Sequence, residues 1–160
     1  RPQVGGFFDY GGTFNSLKNG EMLAMAGIGD WITGVLQRDG ANVASVVPKE
    51  GGIQFTESWW IGKGTKNADM AKKFIQYMMS PPGQVHSATM LAYPAFCVTK
   101  GGRAMLNAKD PKEAQRTGQI DGVPNDPVVL IKEGRIKYRG LPIQQSLEEW
   151  NDFWSEYKGA

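Results

Sequence analysis

Apolar side chains recur at helical spacing in two stretches of the chain, one central and one C-terminal. The central stripe consists of Met70, Phe74, Ile75 and Met78. Asn67 is a residue type that caps helices and Pro81 cannot continue one, so this stripe predicts a helix over 67–79. The C-terminal stripe predicts a helix over about 143–158, and we interpret it as a packing surface. Its members are Leu147, Trp150, Trp154 and Tyr157.

Three apolar runs without helical spacing are interpreted as buried strands, over residues 22–28, 43–47 and 53–61. Gly51 and Gly52 separate the last two, and we expect positive φ there because a tight reversal requires it. The first run leads into Gly29 and an acid and then a helix over about 31–38. This βα order indicates an α/β fold, in which ligands bind at the carboxyl ends of strands.

Turn and capping signals predict short helices elsewhere in the chain. Asp110 and Asp126 are each followed by a proline, which suits the first helical position, so we predict helices over 111–116 and 127–133. Thr13 is interpreted as the cap of a short helix that ends before Gly20. A further helix is predicted over about 82–91.

Several short motifs occur in an order typical of one protein family. They are Leu17-Lys18-Asn19-Gly20-Glu21, Gly29-Asp30, Pro48-Lys49-Glu50-Gly51-Gly52, Phe55-Thr56-Glu57, Gly62-Lys63-Gly64-Thr65-Lys66-Asn67 and Tyr93-Pro94. In their order and spacing, residues 14–96 resemble the spermidine/putrescine-type solute-binding proteins of ABC importers. The rest of the chain resembles them more loosely.

The resemblance implies the two-lobed periplasmic binding protein type II fold, of which this chain resembles the C-terminal half. We expect residues 1–42 and 100–160 to belong to one lobe and residues 43–99 to the other. A periplasmic location, a small polyamine-like solute and a membrane permease as partner follow from the same resemblance. The chain begins at Arg1 without a signal peptide, as expected for a C-terminal fragment.

Four ligand contacts are implied by the resemblance: Asp30, Phe55, Glu57 and Tyr93. A primary ammonium needs a carboxylate as counter-ion and hydrogen-bond acceptor, and an aromatic face stabilises the cation and packs the methylene chain. Two residues keep an alternative interpretation, because Glu57 could face solvent from a strand and Asp30 could cap the helix that follows it. The family usually has a tryptophan before the Gly-Asp pair, whereas here Trp31 follows it.

Composition excludes several classes of function. With 18 basic and 16 acidic residues scattered over 160 positions, the net charge of +2 is too small to indicate nucleic-acid binding. The single cysteine, Cys97, excludes an internal disulfide or a cysteine-based zinc site, and it lies in an apolar run that predicts a small buried side chain. His86 is the only histidine. We therefore expect no cofactor, no metal and no enzymatic activity.

Two other functions fit parts of the sequence. Asp30 and Glu57 could form a carboxylate pair that acts on a glycoside, provided that their carboxyl groups lie within about 10 Å of each other. Alternatively, the tryptophan-rich surfaces could bind a protein partner. Because incomplete lobes would expose apolar surface, we also expect the chain to self-associate, as in a homodimer.

Overall fold

The computed structural model describes residues 3–54, 56–120, 123, 126–141 and 143–159. Within these residues the chain is rich in helices and has one small sheet. In chain order the elements are α1 (Tyr10–Lys18), α2 (Asp30–Arg38), β1 (Gly52–Gln54), α3 (Ala68–Met79), α4 (Pro81–Ala88), α5 (Lys100–Lys109), α6 (Pro111–Arg116), α7 (Pro127–Lys132), β2 (Ile136–Tyr138) and α8 (Leu147–Gly159). Helices thus combine with a parallel strand pair, which confirms the α/β class.

Helix starts follow the capping chemistry in the sequence. The Asp110 carboxylate accepts from the backbone N–H of Glu113, and the Asp126 carboxylate accepts from that of Val128. These caps satisfy backbone donors that the first helical turn leaves unpaired, which confirms the predicted starts of α6 and α7. In α1 the cap is Asp9 rather than Thr13, because the Asp9 side chain accepts from Gly12.

The three predicted strands are largely wrong. Residues 22–28 form no strand, and Leu23 is 99% exposed, so the apolar run is not buried. Residues 43–47 are irregular, and side chains from elsewhere satisfy two of their carbonyls. Gln37 donates to Val43 O at 2.6 Å, and Arg135 donates to Val47 O at 3.1 Å. Of the predicted strand 53–61, the described residues form only β1.

The turn before β1 depends on a glycine. Gly51 has φ +107°, and a Cβ at this position would lie 2.4 Å from the carbonyl oxygen of Arg135. Gly52, in contrast, is already part of β1 and pairs in parallel with Ile136 of β2. The prediction of positive φ is therefore confirmed for Gly51 and wrong for Gly52, since only the first glycine makes the reversal.

The main cluster of buried apolar side chains lies among α4, α5 and α6. Its members are Ala88, Cys97, Leu106 and Ala114, with Val85 and Ile120 packed against them. Two buried glutamines hold the extended segment that crosses this core. Gln119 accepts from Cys97 N, and Gln84 accepts from Val98 N, each at 2.7 Å. Cys97 is buried, which confirms the predicted small buried side chain, and burial raises the pKa of its thiol to about 11.

The aromatic stripe of α8 packs less than its spacing predicts. Trp154 contacts Phe7 edge-to-face with ring centroids 5.0 Å apart, and Tyr157 contacts the same ring at 5.9 Å. Trp150 and Trp154 nevertheless remain 49% and 45% exposed, and no residue of α8 is buried. Only one edge of the stripe therefore packs on the described part of the protein.

Candidate functional site

The N-terminus of α2 presents an acid and an aromatic side chain. Gly29 is the N-cap, in an extended conformation, so Asp30 is the first helical residue and not the cap considered from the sequence. Crowding by protein atoms raises the pKa of the Asp30 carboxyl above its ordinary value of 3.8, despite backbone hydrogen bonds from Trp31 and Asp30 that act in the opposite direction. The residue as a whole is still exposed. This carboxyl therefore lies at a rim, crowded by protein on one side and open on the other.

Trp31 is the centre of a group of four aromatic rings. Its ring centroid lies 4.2 Å from that of Tyr93, 5.7 Å from that of Tyr10 and 5.8 Å from that of Phe14. We call Tyr10, Phe14, Trp31 and Tyr93 the Trp31 cluster. Such a group offers electron-rich ring faces that attract a cation and pack against methylene groups.

A hydrogen bond brings a second acid to this cluster. The phenol of Tyr93 donates to Glu57 Oε1 at 2.7 Å, across 36 positions of sequence. Burial first, and then the hydrogen bond to Glu57 and its charge, raise the pKa of Tyr93 to about 12. The phenol therefore stays protonated and continues to donate. A carboxylate has a second oxygen and further lone pairs, so Glu57 can accept from a ligand while Tyr93 holds it.

Three of the four residues singled out in the sequence are close together in the structure. Tyr93 contacts both Glu57 and Trp31, and Asp30 precedes Trp31 in α2. The charge of Asp30 also raises the pKa of Tyr93, which is consistent with this proximity. Phe55, the fourth residue, lies outside the described residues.

A small cavity lies beside the site. Its volume is about 20 Å³, and it is lined by Asp30, Trp31, Pro94, Ala95, Phe96, Thr117 and Gln119. This volume suffices for about one water molecule. The cavity is therefore too small for a larger ligand, whereas Asp30 and Glu57 are exposed on the open side of the Trp31 cluster.

Sequence reasoning missed three members of the Trp31 cluster. Tyr10 and Phe14 are four positions apart, which places them on one face of α1, and Trp31 follows an acid already singled out. The helical spacing of the two rings was a usable signal. Nothing local, however, indicated that α1 would face the start of α2.

Comparison with known proteins identifies the family. A family model described as bacterial extracellular solute-binding protein matches residues 3–112. The chain belongs to this family. No curated protein and no solved structure matches the chain.

Family membership indicates the general role of the protein. Extracellular solute-binding proteins bind small molecules outside the cytoplasmic membrane for ABC importers and are typically not enzymes. Asp30, Glu57, Tyr93 and Trp31 all lie within the matched residues. Among the described residues, no helix is long and apolar enough to cross a membrane, and no group of three or more His, Cys, Asp or Glu is placed to hold a metal ion.

The raised pKa of Asp30 predicts a pH-dependent effect on stability. Because the folded state disfavours the ionised carboxyl, its contribution to stability is fully present below pH 3.8 and is lost as the pH rises through the folded-state pKa. Asp30→Asn removes the crowded charge. We expect this variant to be more stable than the wild type at pH 7, by an amount that shrinks toward pH 3, in thermal unfolding between these values.

Asp69 provides the matched control for this prediction. It also lies in the first turn of a helix, α3, but its side chain is 91% exposed and pairs with Lys72 at 3.5 Å. Asp69→Asn removes a charge that the helix dipole favours, so we expect unchanged or lower stability at pH 7. Equal responses of the two variants would contradict the role assigned to crowding at Asp30.

Proposed function

We propose that the protein captures a small polyamine-like cation, with putrescine and spermidine as the model solutes, and delivers it to the permease of an ABC importer. The observation that carries this proposal is the Tyr93–Glu57 hydrogen bond of 2.7 Å, which holds a carboxylate beside the Trp31 cluster. An ammonium group would bind Glu57, and the methylene chain would lie against the rings of Trp31 and Tyr93.

Charge favours a cation over an anion at this site. The ion pairs formed within the described part of the chain are Lys18–Asp39, Arg38–Glu113, Lys72–Asp69, Arg103–Asp126 and Arg116–Glu113. None of them neutralises Asp30 or Glu57. The N-terminus of α2 would favour an anion, but the Asp30 and Glu57 carboxylates would repel one.

The proposed lobes place the site at their junction. With residues 1–42 and 100–160 in one lobe and 43–99 in the other, Asp30 and Trp31 come from the first lobe and Glu57 and Tyr93 from the second. We propose Phe55 as an additional ring of this site and the periplasm as the location of the protein.

Exposed apolar side chains support the proposal that this chain self-associates. Trp60 is 87% exposed, Ile53 74%, Met70 67% and Trp59 58%. Covering these side chains with a second surface removes their apolar area from water, which favours association. We expect a homodimer in sedimentation velocity at micromolar concentration; a monomer at all concentrations would contradict this expectation.

A thermal-shift panel tests the class of solute. A ligand present at 100 times its dissociation constant stabilises a protein by about 2.7 kcal/mol, which is readily measured. At equal ionic strength and pH 7, we expect putrescine or spermidine to raise the unfolding temperature, and glutamate and maltose to leave it unchanged. A shift with glutamate or maltose alone would contradict a cationic solute.

A further inference from the structure

An arginine at the far end of α2 holds the chain segment that delivers Tyr93. Arg38 Nη1 donates to the carbonyl oxygens of Met90 and Leu91, at 3.0 Å each, while Arg38 Nη2 pairs with Glu113 Oε1 at 2.7 Å. One guanidinium thus connects three elements of the protein. Only Ala92 separates the two clamped carbonyls from Tyr93.

These contacts close a ring through the candidate site. Helix α2 carries Trp31 near its start and Arg38 at its end, and the 90–93 segment leads from Arg38 back to the Tyr93 ring, 4.2 Å from Trp31. A helix of this length is a rigid rod, so fixing the segment at one end of α2 fixes the distance between the rings at the other.

The sequence of the segment explains why it needs such a clamp. Met90 and Leu91 are 50% and 75% exposed, so their side chains contribute little burial to hold the backbone. Its backbone hydrogen bonds include Met90 N to Ser87 O at 3.4 Å and Ala95 N to the same oxygen at 3.0 Å. A guanidinium is a planar fork of donors, so the two N–H groups of Nη1 can serve the two carbonyls while Nη2 serves Glu113.

We propose that Arg38 is a positioning residue for solute binding: by clamping the carbonyls of Met90 and Leu91 it holds Tyr93, and through it Glu57, against Trp31. The consequence for affinity rests on the function proposed above. The clamp itself does not, because it can be measured without a ligand.

Arg116 provides the matched control. It shares the Glu113 carboxylate with Arg38 and donates to Gly34 O of α2, but its hydrogen bonds are not to the 90–93 segment. Arg38→Ala and Arg116→Ala therefore each remove one of the two arginines that pair with Glu113. Only Arg38→Ala also removes the clamp.

Hydrogen exchange and spermidine titration of the full chain test the proposal together. In Arg38→Ala we expect faster exchange of the Met90 and Ala95 amides, which donate to Ser87 O, relative to amides of α5, and a dissociation constant about tenfold higher. In Arg116→Ala we expect neither change, beyond the shared loss of global stability. If Arg38→Ala does not fold, Arg38→Lys is measured in its place. A lysine keeps the positive charge opposite Glu113 but does not reproduce the planar donor fork of the guanidinium.

Equal exchange of the Met90 and Ala95 amides in the two variants would overturn the clamp and leave Arg38 with a structural role only. Faster exchange in Arg38→Ala with unchanged spermidine affinity would overturn the link to binding. Absence of amine binding by the wild type would contradict the proposed function instead, and the exchange data would still decide whether Arg38 holds the segment.

Discussion

Replacement of Glu57 by glutamine is expected to weaken spermidine binding by about ten- to a hundredfold. A hydrogen bond to a charged group contributes about 1.5–3 kcal/mol, and each 1.4 kcal/mol corresponds to a factor of ten. The glutamine carbonyl can still accept from Tyr93, which donates to Glu57 Oε1 at 2.7 Å in the wild type. The variant therefore removes the charge while keeping the geometry, and calorimetric titration measures the loss.

Glu50→Gln controls for the loss of one negative charge. Glu50 is an exposed residue in the turn before β1, and the same substitution there changes the net charge equally. We expect its spermidine affinity to equal that of the wild type within a factor of two. If both variants lose affinity to the same extent, the effect is one of overall charge and Glu57 is not a ligand contact.

Replacement of Glu113 by alanine is expected to destabilise the protein by about 3–5 kcal/mol, the range for breaking a buried ion pair by removing one partner. The Glu113 side chain is 11% exposed and pairs with Arg38 and Arg116, which are 23% and 13% exposed. Its removal leaves two crowded guanidinium groups without their shared carboxylate. Urea unfolding at pH 7 measures the loss.

Glu156→Ala is the control for the Glu113 variant, because Glu156 is exposed on α8. Surface substitutions of this kind usually change stability by less than about 0.5 kcal/mol. Similar losses in the two variants would show that Glu113 contributes as an ordinary surface residue and would remove the basis for treating the Arg38–Glu113–Arg116 group as a unit.

Most helices could be predicted from the sequence because their signals are local. The capping acids Asp110 and Asp126 lie immediately before prolines, and the stripe of α3 repeats within a few turns of its cap position, Asn67. Helix α8 was predicted for the same reason. Its degree of packing was not, because that depends on Phe7, which is distant in sequence.

The strands could not be predicted because their hydrogen bonds depend on distant residues. Gln37 and Arg135 satisfy carbonyls of residues 43–47, where a neighbouring strand was expected. β1 pairs with β2, which follows it by more than 80 positions. An apolar run by itself indicates neither the strand partner nor the side chain that can replace it.

The candidate site was predicted in part. Family resemblance indicated Asp30, Glu57 and Tyr93, and the structure shows a contact between the last two. It did not indicate Trp31 as the centre of the aromatic group or Arg38 as the residue that clamps the following segment. Both roles depend on contacts with the 90–93 segment, which lies more than 50 positions further along the chain and which no local pattern brings to α2.

Calorimetric titration of spermidine into the wild-type chain at pH 7, with salt matched in cell and syringe, tests whether Glu57 and the Trp31 cluster bind an amine. We expect saturable, micromolar binding at one site that is strongly weakened in Glu57→Gln and preserved in Glu50→Gln. Heats no larger than those of dilution, or equal binding by wild type and Glu57→Gln, would contradict an amine site at Glu57 and the Trp31 cluster.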